Sequence, residues 1–568
     1  MNDPHALFKS WLARPDMPED LARELREIEN DEDAVKDRFW RHLEFGTGGL
    51  RGIIGAGTNR MNVYTVGRAS QGLADYLRGI CGDPSVCIAY DTRHMSKEFA
   101  SKAAEVFCSN GIRVLMFESV RPTPMLSFAV RLHKANAGIV ITASHNPKEY
   151  NGYKVYGPDG GQLTDEAAAA VFARIEQADI FVNSPPPVNP DLLSCMGEET
   201  DSQYYEKVKS LIIRDKLVAA KAGELKILYS PLHGTGNIPV RRVLDELGFS
   251  HLSVVEEQER PDSDFPTVPY PNPEEPAAFA LAIEKARTET PDLVFATDPD
   301  CDRIGILARE KDGGFSVLSG NQVGALLCDY ILSSKRETGI SPPNAAVVKT
   351  IVTSDLIRVI CDFYGAALAD TLTGFKYIGE KAGEWEQSGE YIFQFGLEES
   401  CGYLSGNFVR DKDAVIAAAL AAEMTLYYKE QGLSLSDALQ RLYERFGHTK
   451  EKLLSYTMPG QDGAARIDTI MENLRTNYKD IFADGDVAVF EDYRCQTRAI
   501  SEKGTIEKIT LPQSNVLKFI FSDKSWLVLR PSGTEPKIKL YLMATGPGGA
   551  EVDARLARLV EIADTIMK

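Results

Sequence analysis

The sequence predicts an α/β protein built as three tandem mixed α/β domains with mostly parallel sheets, followed by a C-terminal α+β domain, the four domains surrounding a central cleft. Three observations predict this. The chain has 568 residues, and at roughly 100–200 residues per domain that length suggests about four domains. A strand–helix–strand–helix–strand order occurs three times between residues 85 and 396, the grammar of a parallel sheet with helices on its faces. Beyond residue 450 closely spaced strands replace that grammar. The expected domains are 1–205, 206–320, 321–450 and 451–568.

Taken in order, residues 1–44 read as a helical arm. "SVCIAY" is the first strand and "SKEFASKAAEVFCSNG" the first helix, with Ser96 as N-cap and Gly111 as stop. "IRVLMFES" is a strand, "PTPMLSFAVRLHKANAG" a helix opened by Pro122 or Pro124, and "IVITA" the third strand. The second set is "ELKILYSP", "NIPVRRVLDELGF", "HLSVVEE", "EPAAFALAIEKAR" and "DLVFAT". The third is "AAVVKTIV", "SDLIRVICDFYG", "ALADTL", "GFKYIGEKAGEW" and "EYIFQFG". The last domain holds "VAVFEDY", "NVLKFIFSD", "SWLVLRPS" and "KIKLYLMAT" as strands, an antiparallel arrangement with a turn at "SDKSW", and a final helix from about Gly549. The Pro-rich stretches 184–190 and 260–273 are loops or crossings.

In each set the third strand empties into a polar loop: "SHNP", "DPDCD" and "LEES". Open parallel sheets bind ligands beyond the carboxyl ends of their strands, so these loops are three walls of one cleft.

Composition narrows the partners. Hydrophobic content of 43% and charged content of 26% are ordinary for a globular protein. The N-terminal stretch is polar and acidic, with no signal peptide, and no run approaches the roughly 18 apolar residues that span a bilayer. A cytoplasmic location is expected. Nine cysteines stand singly; an odd number cannot all pair, no C-x-x-C motif occurs, and reduced thiols are expected. The balance of 63 basic and 82 acidic residues gives −19, which argues against nucleic acid or an anionic membrane as partner. A small anionic substrate held by a local Arg/Lys cluster remains compatible.

The loops carry the chemistry. Ser144 in "TASHNPKEYNGYK" lacks both glycines of the hydrolase elbow G-x-S-x-G. His145 is expected to point away from it if strand geometry continues. From this string alone Ser144 is either a polar turn residue or a functional serine. "DPDCDR" puts Asp298, Asp300 and Asp302 at alternate positions, where three carboxylates converge on a hard cation such as Mg²⁺. An EF-hand is excluded, because Arg303 stands where its glycine belongs and Arg309 where its bidentate glutamate belongs. Mg²⁺ with few protein ligands also binds phosphate oxygen, so a phosphorylated Ser144 would complete the metal shell and act as phosphoryl carrier. In "RPSGTEPK", Arg530 can fork onto phosphate, Ser532 and Thr534 offer hydroxyls, and Gly533 allows close backbone approach. A surface hairpin turn is the competing reading. In "GLEESCG", Glu398 and Ser400 can hold vicinal hydroxyls.

Taken together, "TASHNP", "DPDCDR", "LEES" and "RPSGTEPK", with "FGTGGLRG" at 45–52, resemble the α-D-phosphohexomutase family from about Phe45 to the C-terminus. "EYNGYKVYGPDGGQ" and "RDKDAV" point to its phosphoglucomutase/phosphopentomutase branch. The resemblance implies an Mg²⁺-dependent mutase that moves phosphate through phosphorylated Ser144 and a sugar bisphosphate, glucose 1,6-bisphosphate for a glucose phosphate substrate. It implies metal ligation by Asp298, Asp300, Asp302 and the phosphoserine, and Arg303 beside the phosphoserine. Lys154 matches the general acid/base, for which a pKa depressed by cations such as Arg51 is expected. Arg51 and His145 match residues near the transferring phosphoryl. Glu398, Ser400, Thr373 and Gly374 match sugar ligands, and Lys412 in "RDKD" a phosphate or proton-transfer contact. Arg530, Ser532, Gly533 and Thr534 match the anchor for the second phosphate, on a separate mobile domain.

One position departs: many relatives carry serine where this chain has Gly48. "EES" favours glucose 1-phosphate and glucose 6-phosphate as substrates. Phosphopentomutase, phosphomannomutase and glucose-1,6-bisphosphate synthase are the alternatives within the class. A metal-dependent sugar phosphatase and a non-catalytic sugar-phosphate binder are those outside it. A monomer or homodimer is expected.

Overall fold

The computed structural model describes residues 3–44, 49–181, 189–310, 313–458, 460–482, 487–532 and 537–568. Four sheets follow one another along the chain. The first has six strands, in the spatial order Gly49–Ile53, Tyr150–Tyr156, Ala137–Ile141, Ser85–Tyr90, Arg113–Phe117, Leu193–Met196. Its last four are parallel, and the first two fold back antiparallel. The second sheet has five strands around the parallel trio Ile227–Ser230, Leu252–Val254 and Leu293–Thr297. The third has four, with Ala345–Thr350, Ala367–Thr371 and Ile392–Glu398 parallel. The fourth has seven, all antiparallel. The α/β expectation and the change of grammar in the last domain both hold.

Burial explains the difference. Every residue of Ser85–Tyr90, Ala137–Ile141 and Ala345–Thr350 is buried, as happens when helices cover both faces of a parallel sheet. In Trp526–Pro531 and Lys537–Gly546 the two faces separate. Leu527, Leu529, Leu540 and Leu542 enter the last domain's own core. Trp526, Val528, Tyr541 and Met543 face the third domain, against Ile351, Val352 and Leu372.

The helix Ala414–Lys429 binds the first three domains into one body. Its sequence "AVIAAALAAEMTL" is buried on all sides, the condition for a helix apolar all round. It belongs to a core running from Phe128 in the first domain through Leu244 in the second to Phe395 in the third. The N-terminal arm is three helices, Pro4–Leu12, Glu19–Glu27 and Glu32–Phe39. Phe8, Trp11, Leu25 and Phe39 form its core. It props the turn after Gly49–Ile53: the Ala56 amide donates to Glu24 at 2.7 Å, and the Thr58 hydroxyl to the Arg41 carbonyl at 2.7 Å. No helix among the described residues is long and apolar enough to cross a membrane.

One capping expectation is corrected. The helix begins at Ser96, but its N-cap is Met95 with φ of 63°. The Ser96 hydroxyl instead donates to Asp91 at 2.6 Å, because a buried carboxylate competes for it better than the helix amides do. Gly111, with φ of 74°, does stand just past the helix end, where the left-handed backbone favours glycine.

Candidate active site

The loop that carries Ser144 is shaped by an arginine some fifty positions upstream in the chain. The Ser144 backbone is left-handed, φ 54°, a conformation that costs a non-glycine residue on the order of 1 kcal/mol. Arg93 holds it there. The buried guanidinium donates to the carbonyls of Ser144 at 2.5 Å, Pro147 at 2.7 Å and Tyr150 at 3.2 Å, and also to that of Asn146. Asp91, equally buried, lies 3.3 Å from Arg93, and the Ser144 amide donates to Thr142 Oγ1 at 2.8 Å. Sequence reasoning missed Arg93; the only local sign was "YDTR" directly after a buried strand.

The turn overturns the expected direction of His145. Strand geometry does not continue through Ser144, and His145 Nδ1 lies 3.1 Å from Ser144 Oγ. Burial, with Arg303 and Arg51 adding to it, pushes the imidazole well below its ordinary pKa, so the ring is neutral. The Ser144 hydroxyl donates across the domain boundary to Asp298 Oδ2 at 2.9 Å.

Asp298, Asp300 and Asp302 are buried and offer carboxylate oxygens all within 4.8 Å of one another. Asp298 Oδ1 accepts from the amides of Asp302 at 3.1 Å and Arg303 at 3.0 Å. Asp300 Oδ2 accepts from Thr123 and from Lys154, each at 2.9 Å. Oδ1 of Asp300 and Oδ1 of Asp302 are buried without a hydrogen-bond partner among the described residues. Buried carboxylate oxygens are rarely left so, and converging oxygen donors suit a hard cation. The residues present therefore fit a metal site. Burial, then Asp300 and Asp302, push Asp298 well above the ordinary carboxylate range. For Asp302 burial is outweighed by Lys412, Lys154 and Arg303, which hold it low.

Two lysines face these carboxylates. Lys154 Nζ lies 2.9 Å from Asp300 and 3.3 Å from Asp302. The expected depressed pKa is corrected: burial pulls it down, but Asp300 and Asp302 outweigh burial and leave it raised, and the nearby cation is Lys412, not Arg51. Lys412 Nζ is 3.5 Å from Asp302 and 3.7 Å from Glu398. Gly402 makes room for it, since a Cβ there would meet Lys412 Cδ at 2.2 Å. Arg303 pairs with Glu274, and its bridge to Gly402 joins the second domain's loop to the third's. Arg51 is exposed on Gly49–Ile53 and reaches Asn146 Oδ1 at 3.5 Å.

Glu398 ends its strand and accepts from the Ser400 hydroxyl at 3.0 Å. Thr373 and Gly374 form the turn between Ala367–Thr371 and the helix Phe375–Ser388, Gly374 with φ of 116°. Arg530 is opposite Lys539 in the strand register, so two cations stand side by side at the strand ends. The Ser532 amide donates to the Lys537 carbonyl at 2.7 Å. Gly533 and Thr534 lie outside the described residues, as do 45–48 with Gly48.

The structure thus brings together Ser144, His145, the three aspartates, Lys154, Lys412 and Glu398, from three domains. A serine aimed at a ring of carboxylates that fits a metal ion, with Lys154, Lys412 and Glu398 beside it, suits the chemistry of a phosphosugar mutase. Comparison with known proteins gives the same class. Four phosphoglucomutase/phosphomannomutase models match: α/β/α domain I over residues 42–180, domain II over 202–313, domain III over 319–446 and the C-terminal domain over 471–561. The chain belongs to the phosphoglucomutase/phosphomannomutase family. It is similar to a phosphoglucomutase of Staphylococcus haemolyticus, 38% identical over 507 residues, 89% of this chain and 90% of that protein. It is 34% identical over 553 residues to a phosphoglucomutase of Staphylococcus aureus strain USA300, covering 97% and 98%. Among solved structures it shares its fold with a putative phosphomannomutase from Thermus thermophilus, with a TM-score of 0.68 at 21% identity, covering 92% and 99%.

Proposed function

We propose that this enzyme interconverts α-D-glucose 1-phosphate and glucose 6-phosphate through a phosphoserine at Ser144 and a glucose 1,6-bisphosphate intermediate. The observation that carries the reading is the placement of Ser144 Oγ, 2.9 Å from Asp298 within a ring of three buried carboxylates. In the first half-reaction a free sugar hydroxyl oxygen bonds to the phosphorus of phosphorylated Ser144 as the P–Oγ bond breaks. The hydroxyl proton leaves to a neighbouring base, and Oγ regains a proton. The bisphosphate turns over in the cleft, and its other phosphoryl group returns to Ser144 by the reverse exchange. No water or free phosphate is consumed.

One Mg²⁺ held by Asp298, Asp300 and Asp302 would neutralise charge developing on the transferring phosphoryl group. His145 Nδ1, at 3.1 Å from Oγ, is within proton-transfer reach of the oxygen that loses and regains the phosphoryl group. Lys154, kept charged, donates. Arg51, Arg303 and Lys412 attract the phosphoryl group. Glu398, Ser400, Thr373 and Gly374 hold sugar hydroxyls, and Arg530 and Ser532, with Gly533 and Thr534, hold the second phosphate. We place the domain divisions near residues 205, 320 and 450. Nine free thiols support a reducing, cytoplasmic compartment.

The test is Ser144→Ala. Turnover should fall by about four orders of magnitude or more, as when a covalent nucleophile is removed, with glucose 6-phosphate binding retained. Full activity in that variant overturns the reading. Release of free phosphate without isomerised product from the unaltered enzyme would establish a phosphatase instead. Relative kcat/KM for glucose, mannose and ribose 1-phosphates, each with a trace of its bisphosphate, decides the sugar.

A further inference from the structure

The segment Arg410–Asp413 contributes Lys412 to the cleft, yet its neighbours are the more constrained residues. The Arg410 amide donates to Ser127 Oγ of the first domain at 2.9 Å. Asp413 caps the central helix through the amides of Val415 and Ile416 at 2.9 Å and accepts from the Tyr204 hydroxyl at 2.7 Å. Asp411, 1% exposed, collects four donors. Oδ2 accepts from the Tyr156 hydroxyl and from Gln162 Nε2, both at 2.8 Å. Oδ1 accepts from the Lys412 amide at 2.8 Å and from Lys412 Nζ at 3.4 Å.

Tyr156 and Lys154 are two residues apart on Tyr150–Tyr156, so both project from one face of the strand. Lys154 reaches the second domain's carboxylates, and Tyr156 reaches Asp411 in the third domain. A lysine carries a flexible stem with about 2 kcal/mol of rotamer entropy; Gly402 gives the Lys412 stem its passage, and the charged partners of Nζ decide where the ammonium comes to rest. Asp411 Oδ1 adds a third carboxylate at 3.4 Å from Nζ, beside Asp302 at 3.5 Å and Glu398 at 3.7 Å, and it is itself tied to the first domain.

We propose that Asp411 is a positioning residue that fixes Lys412 beside Asp302 and Glu398 by anchoring it to Tyr156 and Gln162 of the first domain. A carboxylate accepts from all four partners at once and sets a negative charge against Lys412 Nζ; an amide in its place removes that charge and leaves a single accepting oxygen. The kinetic part rests on the mutase reading above; the positional part does not.

The experiment compares Asp411→Asn, Lys412→Met and the double variant by steady-state kinetics with glucose 1-phosphate, alongside a crystal structure of Asp411→Asn. Displacement of a reacting group by an ångström costs roughly 100-fold, so Asp411→Asn should lower kcat by about that factor with KM within about threefold. Residues acting through one another do not add; the double variant should turn over no more slowly than Lys412→Met. In the crystal, Lys412 Nζ should have left Asp302 and Glu398. Unchanged kcat, additive losses, or Lys412 in its original place overturns the proposal. Should Asp411→Asn fail to fold, Tyr156→Phe carries the same test: a moved Lys412 with reduced kcat supports the assignment, and an unmoved one overturns it. If Ser144→Ala proves fully active, the mutase reading falls while the crystallographic outcome still decides the position of Lys412.

Discussion

The two ends of the cleft are built differently. At the serine end, side chains from three domains meet one another directly: Ser144 with Asp298 at 2.9 Å, Lys154 with Asp300 at 2.9 Å, Tyr156 with Asp411 at 2.8 Å. These groups are buried, and the apolar helix Ala414–Lys429 locks their domains together. At the arginine end, Arg530 and Lys539 stand partly exposed on an antiparallel sheet. That sheet meets the third domain through an apolar seam, in which Trp526 Nε1 donates to Asp355 at 3.0 Å and Lys518 Nζ to the Ile351 carbonyl at 2.8 Å. On the proposed function, the difference is a division of labour. Bond exchange needs preorganised charges in a site closed to water, whereas an anchor for a second phosphate needs cations that a substrate can approach.

That comparison predicts effects of different size and kind. The largest belongs to the serine end: chelation with EDTA should lower turnover about 1,000-fold, the scale of a metal's charge stabilisation, and Mg²⁺ should restore it. Activity indifferent to chelator would remove the metal from the serine end. Next, Arg530→Ala should act on affinity. Losing a charged hydrogen bond costs roughly 1.5–3 kcal/mol, which is about 10- to 100-fold in KM, with kcat changed far less. A loss confined to kcat would mean that the two ends are not divided as described.

The smallest effect lies in the seam. Glu451 is opposite Met543 in the strand register, and the Asp355 amide lies 3.3 Å from Met543 Sδ. Burial pushes the Glu451 carboxyl from 4.5 up to about 7, against the hydroxyls of Ser354 and Thr449, which favour its ionised form. The folded protein then holds this proton more tightly than the unfolded chain. Its stabilising contribution is complete below pH 4.5 and is lost as pH rises through about 7. Glu451→Gln should raise the thermal midpoint at pH 8 by about 2–4 °C and leave it unchanged at pH 4.5. An equal shift at both values would show that the seam does not titrate.

The order of the elements was legible because it rests on short-range rules. Continuous apolar runs such as "AGIVI" mark strands covered on both faces, and alternation in "KIKLYL" marks a sheet with two different faces. "DPDCD" offered three carboxylates that fit a cation, but they converge because the loop turns and not because it is extended: the Cys301 amide donates to the Asp298 carbonyl at 2.9 Å, and Cys301 has φ of 52°. The Ser96 cap failed because Asp91, five residues upstream, competes for the hydroxyl.

By itself, then, the sequence determined the class of each sheet, the identity of the loops that end the strands, and the residue types available for phosphoryl transfer. Only the tertiary structure decided what those residues do to one another. Ser144 meets Asp298 across 154 positions, Lys154 meets Asp300 across 146, and Tyr156 meets Asp411 across 255. The direction of His145 followed from a left-handed turn clamped by Arg93, and the charge of Lys154 from carboxylates in another domain. Periodicity is a property of neighbours along the chain. Electrostatic state and side-chain aim are properties of neighbours in space, which no local string records.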